Sequence, residues 1–126
     1  MVEESRDTKK GTGTDRPAKS MMPASEVFDI AGMVNYAEGS IVSRTLVESK
    51  GGTVTLFAFD AGQGLSEHTA PFDALVLVFD GEGEFTVGGK AHRVAAGQAL
   101  LMPADIPHAV KAEGPFKMLL TMLRFK

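Results

Sequence analysis

Three histidines, His68, His92 and His108, are the only imidazoles in the 126-residue chain, and it has no cysteine. That excludes a disulfide scaffold, a thiolate metal site, a cysteine nucleophile and an iron–sulfur cluster. What remains is imidazole and carboxylate chemistry: metal ligation, proton transfer or hydrogen bonding at neutral pH. No serine sits in a nucleophile-elbow context, and the GEGEF run at 81–85 lacks the following helix that would help hold a phosphate. His68 and His108 each lie at a fixed distance from glycines and prolines, whereas His92 sits in the short run AHRV.

The elements that must carry these histidines read as strands. Beyond Val27, glycines punctuate short runs: IVSRTLVE (41–48), TVTLFAFD (53–60), ALVLVF (74–79), EFTV (84–87), AHRV (91–94), QALLM (98–102), HAVKA (108–112) and KMLLTMLRF (117–125). Strand-length runs rich in Val, Phe, Thr and Leu, with turn residues at short intervals, predict an all-β sandwich or barrel. Gly88-Gly89 predicts a tight hairpin, and FDIAGMVNY (28–36) is the one stretch able to supply a turn or two of helix. Phe57, Phe59 and Phe79 alternate within their runs and read as core or inter-sheet residues. Nine of the first twenty residues are charged, so residues 1–22 are expected to be a flexible tail and 23–126 a single domain.

Two spaced patterns carry a resemblance. Gly62, five intervening residues, His68, and then Gly81 make the first; Gly97, five residues, Pro103 and then His108 make the second. Together they resemble the two motifs of the cupin superfamily, over residues 62–112. The resemblance implies a jelly-roll barrel, a double-stranded β-helix. It also implies a metal site, which in metal-dependent cupins uses two motif-one histidines, a glutamate and the motif-two histidine.

Here the second histidine position is Ala70 and the glutamate position Ala74, while Asp105 stands for the motif-two glycine and Ala112 for the final asparagine. The resemblance therefore leaves His68 and His108 as metal ligands, for a divalent transition metal such as Zn, Ni, Fe, Mn or Cu. A zinc site wants three protein ligands or more, and an oxygenase-type iron site two histidines and a carboxylate. Glu67, Asp73 and His92 are the available replacements. Glu67 and Asp73 have the wrong strand parity and read as solvated loop carboxylates, though loop geometry can turn Asp73 inward. His92 shares parity with Val94 and can face inward, against a surface role in its hairpin. Asp105, in PADIP, reads as a turn residue. Met102, Met118 and Met122 have soft thioethers suited to Cu(I), but methionine is chiefly a core filler.

With Ala70 and Ala74 in place of polar ligands, and Val76, Val78, Leu100 and Met102 beside them, the expected pocket is apolar with two imidazoles as its polar features. Such a site suits a small-molecule ligand better than acid–base catalysis. Three functions remain open: binding of a small molecule or metal ion, a metal-dependent isomerase, lyase or dioxygenase using His68 and His108, and a structural protein with a vestigial pocket. Net charge −3 argues against nucleic acid, and no apolar run is long enough for a membrane span. A cytoplasmic homodimer is expected, with IVSRTLVE or the segment before it crossing to a partner sheet.

Overall fold

The computed structural model describes residues 18–20 and 22–124. Residues 1–17 and 21, most of the expected tail, lie outside the described residues. In chain order come β1 (Ala18–Ser20), a 3-10 turn (Ile30–Gly32), β2 (Ile41–Ser49), β3 (Gly52–Phe59), β4 (Gly64–His68) and β5 (Phe72–Val87). Then follow β6 (Lys90–Ala95), β7 (Ala99–Met102), β8 (His108–Lys111) and β9 (Phe116–Arg124). The stretch 28–36 thus supplies one 3-10 turn and no α-helix.

All pairings are antiparallel, in the order β1-β2-β3-β9-β5-β8-β4, with β6 and β7 also paired to β5. The architecture is all-β, a sheet curled into a jelly-roll barrel. Strand β5 organises it. Its first half pairs with β9 and β7, and its second half with β6 and β8, so one strand serves both walls. The Gly88-Gly89 turn joins Val87 to Lys90 as expected, with φ of 58° and 85°. Left-handed φ at both central residues is what a two-residue hairpin with the sheet's twist requires.

Alternation along β5 sends Ala74, Val76 and Val78 into the barrel and Leu75 and Leu77 outward. The inner cluster joins these to Phe59, Phe85, Val94, Met102, Val110, Phe116 and Met118. A second cluster lies outside the barrel wall. There the N-terminal strap, through Met22, Ile30, Met33, Val34 and Tyr36, packs on Leu46, Leu56, Ala58, Phe79 and Leu119. The segment 41–48, expected to meet a partner sheet, is β2, which takes β3 on one side and β1 at Val47–Ser49 on the other.

Lys117, only 9% exposed, fastens the strap to β9. Its Nζ donates to the Ala31 carbonyl at 2.8 Å and lies 5.1 Å from the centre of the Tyr36 ring. The Tyr36 hydroxyl donates to Asp80 at 2.5 Å. Burial, and beside it the Asp80 carboxylate, hold that phenol well above its usual range. A raised phenol pKa favours the folded state until the unfolded chain's tyrosine ionises near pH 10, so stability falls above that pH. Tyr36→Phe is expected to cost about 1 kcal/mol at pH 7, the worth of one hydrogen bond, and to flatten the decline above pH 10. Urea titrations at pH 7 and pH 11 measure both effects.

Candidate functional site

His68 ends β4 and His108 opens β8, and the two residues face each other across the β4–β8 ladder. Their rings are 4.4 Å apart at the centroids, edge to face at 70°. A bulge produces this meeting. Leu65 pairs with Val110 and His68 with His108, so β4 spends three residues where β8 spends two. The extra residue reverses the alternation, as a β-bulge does. Leu65, against the core, and His68 therefore share a face although they are an odd number of positions apart. Glu67 is exposed and Ser66 turns its carbonyl back to the ring.

Both imidazoles are held by their own backbone. Nδ1 of His68 donates to the Ser66 carbonyl at 2.7 Å, and Nδ1 of His108 to the Ile106 carbonyl at 3.1 Å. A carbonyl can only accept, so the proton must be on Nδ1 and each neutral ring offers the lone pair of Nε2. The two rings differ in exposure. His68 is open to solvent, whereas His108 is 6% exposed and its Nε2 meets no hydrogen-bond donor among the described residues. Buried polar nitrogens are ordinarily paired, so this one marks a place for a ligand atom.

The loop before His108 is fastened from three sides. The Asp73 carboxylate accepts the Ala104 N–H at 2.9 Å, the Ala70 carbonyl accepts the Asp105 N–H at 2.8 Å, and the Pro107 carbonyl accepts the Gly88 N–H at 2.8 Å. Asp73 is thus no solvated loop carboxylate: it is half-buried and committed to a backbone N–H. Asp105 is the turn residue expected, with φ +65° in the left-handed region. The Ile106 N–H reaches the Pro103 carbonyl at 3.4 Å, closing a turn that wants glycine at its third position. Asp105→Ala should cost about 1 kcal/mol, since alanine lacks aspartate's tolerance of that conformation, and Asp105→Gly should cost less. Thermal melts of the two variants check the order.

The inner face of the barrel is hydrocarbon and thioether. Across the inner face, Met122, Ala74 and Met102 lie side by side in register, and Leu120, Val76 and Leu100 form the next row. Ala74, Val76, Val78 and Met102 are all buried in the inner cluster, Leu100 packs against it, and Ala70 is half-buried in the loop between β4 and β5. Met102 and Met122 flank the position where the cupin pattern has its glutamate. His92 lies opposite Phe85 and so faces inward as its parity suggests, but it is only half-buried. No three or more of the described His, Asp and Glu residues gather where they could hold a metal ion.

A family model described as "Cupin domain" matches residues 55–122, from β3 through most of β9. The chain belongs to the cupin family. A conserved protein of unknown function from Streptococcus pyogenes is 36% identical, with a TM-score of 0.79 over 83% of this chain and 92% of its own. A cupin 2 conserved barrel domain protein from Leptotrichia buccalis is 47% identical, with a TM-score of 0.75 over 77% of this chain and 47% of its own. A cupin superfamily protein from Desulfitobacterium hafniense is 28% identical, with a TM-score of 0.77 over 82% and 94%. No curated protein matches the chain. No described helix of this cupin is long and apolar enough to cross a membrane.

The cupin metal site fits this chain poorly. Two imidazoles face each other, but the carboxylate position is Ala74, Asp73 is spent on Ala104, and Glu67 is on the far side of the bulge. Two nitrogen ligands fall one short of the protein donor set of a resident zinc or iron.

Proposed function

We propose that this cupin binds a small apolar molecule bearing a hydroxyl or N–H group, with the Nε2 of His108 as its acceptor. The observation that carries the reading is that nitrogen: on a residue only 6% exposed, tautomer set by the Ile106 carbonyl, and without a donor among the described residues. The hydrocarbon floor favours an apolar ligand body, and one placed acceptor gives it direction. His68, on the solvent side of the pair, lies at the entrance.

The test is a panel of small alcohols, phenols and amides titrated into protein with 15N-labelled histidine. Expected is a shift at the His108 Nε2 resonance on binding, lost in His108→Leu. Binding undiminished in His108→Leu, or a panel that leaves the imidazole resonances unmoved, overturns the reading.

One observation favours a metal as a second occupant. Both Nδ1 protons sit on backbone carbonyls, the outer contact that metal-bound histidines usually have. With two protein ligands, a divalent ion is held only where a bound small molecule completes its coordination. Calorimetric titration with Zn2+ or Ni2+ alone should then show far weaker binding than with a chelating co-ligand present.

A further inference from the structure

The end of the barrel that holds the histidine pair also carries a cation. There β4 ends, β5 begins and β9 ends, and residues 69–71 join His68 to Phe72. In the β5–β9 ladder Phe72 is opposite Arg124, and Ala74 is opposite Met122. Side chains alternate along a strand, so Phe72 and Arg124 share the inward face of Ala74 and Met122, at its rim. Cζ of Arg124 lies 5.0 Å from the centre of the Phe72 ring. Phe72 is half-buried, and both Arg124 and His68 are exposed, so this rim is open to water. An arginine set over a ring is oriented without spending its N–H groups. Among the described residues the guanidinium has no hydrogen-bond acceptor and no carboxylate partner. Asp73, next to Phe72, is on the opposite face by alternation and is bound to Ala104.

We propose that Arg124, placed by Phe72, anchors a carboxylate of the ligand, so that the pocket takes small apolar acids with a hydroxyl or N–H group at their far end. This rests on the reading that the donor of the ligand meets Nε2 of His108. The two anchors belong to different walls: the histidines to the β4–β8 ladder, Arg124 to the β5–β9 ladder. Facing sheets pack about 10 Å apart, a gap that a molecule built on one aromatic ring can bridge. A guanidinium presents paired N–H groups that match the two oxygens of a carboxylate, and such bonds are charge-assisted. A phosphate is the poorer fit. The described residues form no α-helix, so no helix N-terminus joins the arginine to hold a second charge.

The probes are 4-hydroxybenzoate, 3-(4-hydroxyphenyl)propanoate and their methyl esters, titrated into the full chain carrying 15N-labelled arginine and histidine. The better-fitting acid should bind about tenfold more tightly than its ester, the equivalent of about 1.4 kcal/mol. On binding, the Arg124 Nε resonance should shift together with His108 Nε2. In Arg124→Gln the ratio of acid to ester affinity should fall to about one, the fork of charged donors being gone. Should glutamine disturb the end of β9, the wild type still reports: raising NaCl from about 50 mM to about 500 mM should erode the acid's advantage, because salt screens an exposed charge. Equal affinities for acid and ester, an advantage that survives Arg124→Gln, or an acid that shifts His108 and leaves Arg124 unmoved overturns the proposal and leaves the His108 reading standing. An acid that shifts Arg124 but not His108 upholds the anchor and overturns that reading. A panel that moves neither resonance overturns both. 4-Hydroxyphenyl phosphate held more tightly than either acid overturns the assignment of a carboxylate.

Discussion

His108→Leu is expected to yield a more stable protein that no longer binds. The wild-type residue is only 6% exposed and its Nε2 has no donor among the described residues, and an unsatisfied buried polar atom costs about 1–3 kcal/mol. Leucine is of similar bulk, lies in a wall already formed by Leu65, Val87 and Val110, and has no polar atom to strand. It gives up the bond from Nδ1 to Ile106, worth about 1 kcal/mol, and frees a carbonyl that water can reach at the loop. The net expectation is a gain of about 1 kcal/mol, or a few degrees in melting temperature for a domain of this size. Ligand affinity should fall by about a hundredfold or more, because the acceptor proposed to orient the ligand is gone. His68→Leu is the contrast. Its ring is already solvated, so affinity should fall less and stability should hardly change. Paired thermal melts and ligand titrations separate the two, and a His108→Leu variant less stable than wild type would show that Nε2 is satisfied in the native protein.

The same two residues show what the sequence made legible. Spacing from Gly62 and Gly97 carried the resemblance that singled out His68 and His108 and implied a jelly-roll barrel, and the strand-length runs between glycines disclosed an all-β sandwich or barrel, because both are local patterns. The bulge at Ser66–Glu67 is not local. It appears only when β4 is laid against β8, and it decides which of two adjacent side chains meets His108. Asp73 reads as solvated from the sequence for a similar reason: its partner, Ala104, is 31 positions away, beyond the rest of β5 and the strands β6 and β7. The strap over 22–36 was also hidden, since Lys117, Tyr36 and Asp80 meet only after β9 and β5 are paired. ALVLVF is a different case. A run apolar on both faces fixes no inward side by itself; the cupin resemblance puts Ala74, Val76 and Val78 at the pocket, and along β5 those three are buried while Leu75 and Leu77 are exposed.

Gly81→Ala should be among the most damaging single methyl additions to the framework. The residue has φ +72°, a conformation that costs an L-residue about 1–2 kcal/mol. Its added carbon would lie 2.2 Å from the Pro115 carbonyl oxygen and 3.0 Å from Cα and Cβ of Phe116. Those atoms cannot move cheaply. Phe116 is paired with Gly81 on one side and Phe59 on the other, and its ring is stacked on Phe59 at 4.7 Å and set edge-on to Phe85 at 5.8 Å. Overpacking a core of this kind adds about 1–3 kcal/mol, so the sum is about 2–5 kcal/mol. That is a large part of a small domain's stability. Gly81 also lies where β5 passes from the β9 and β7 wall to the β6 and β8 wall, so strain there loosens the strands that hold His68 and His108 together. Gly114→Ala is the matched control: nothing lies within 4 Å of its added carbon and its φ is not left-handed. It should be neutral or gain up to about 1 kcal/mol from the stiffer unfolded chain. Chemical denaturation of the two variants, with the histidine ring resonances followed in each, should show Gly81→Ala losing stability and broadening both rings while Gly114→Ala leaves them sharp.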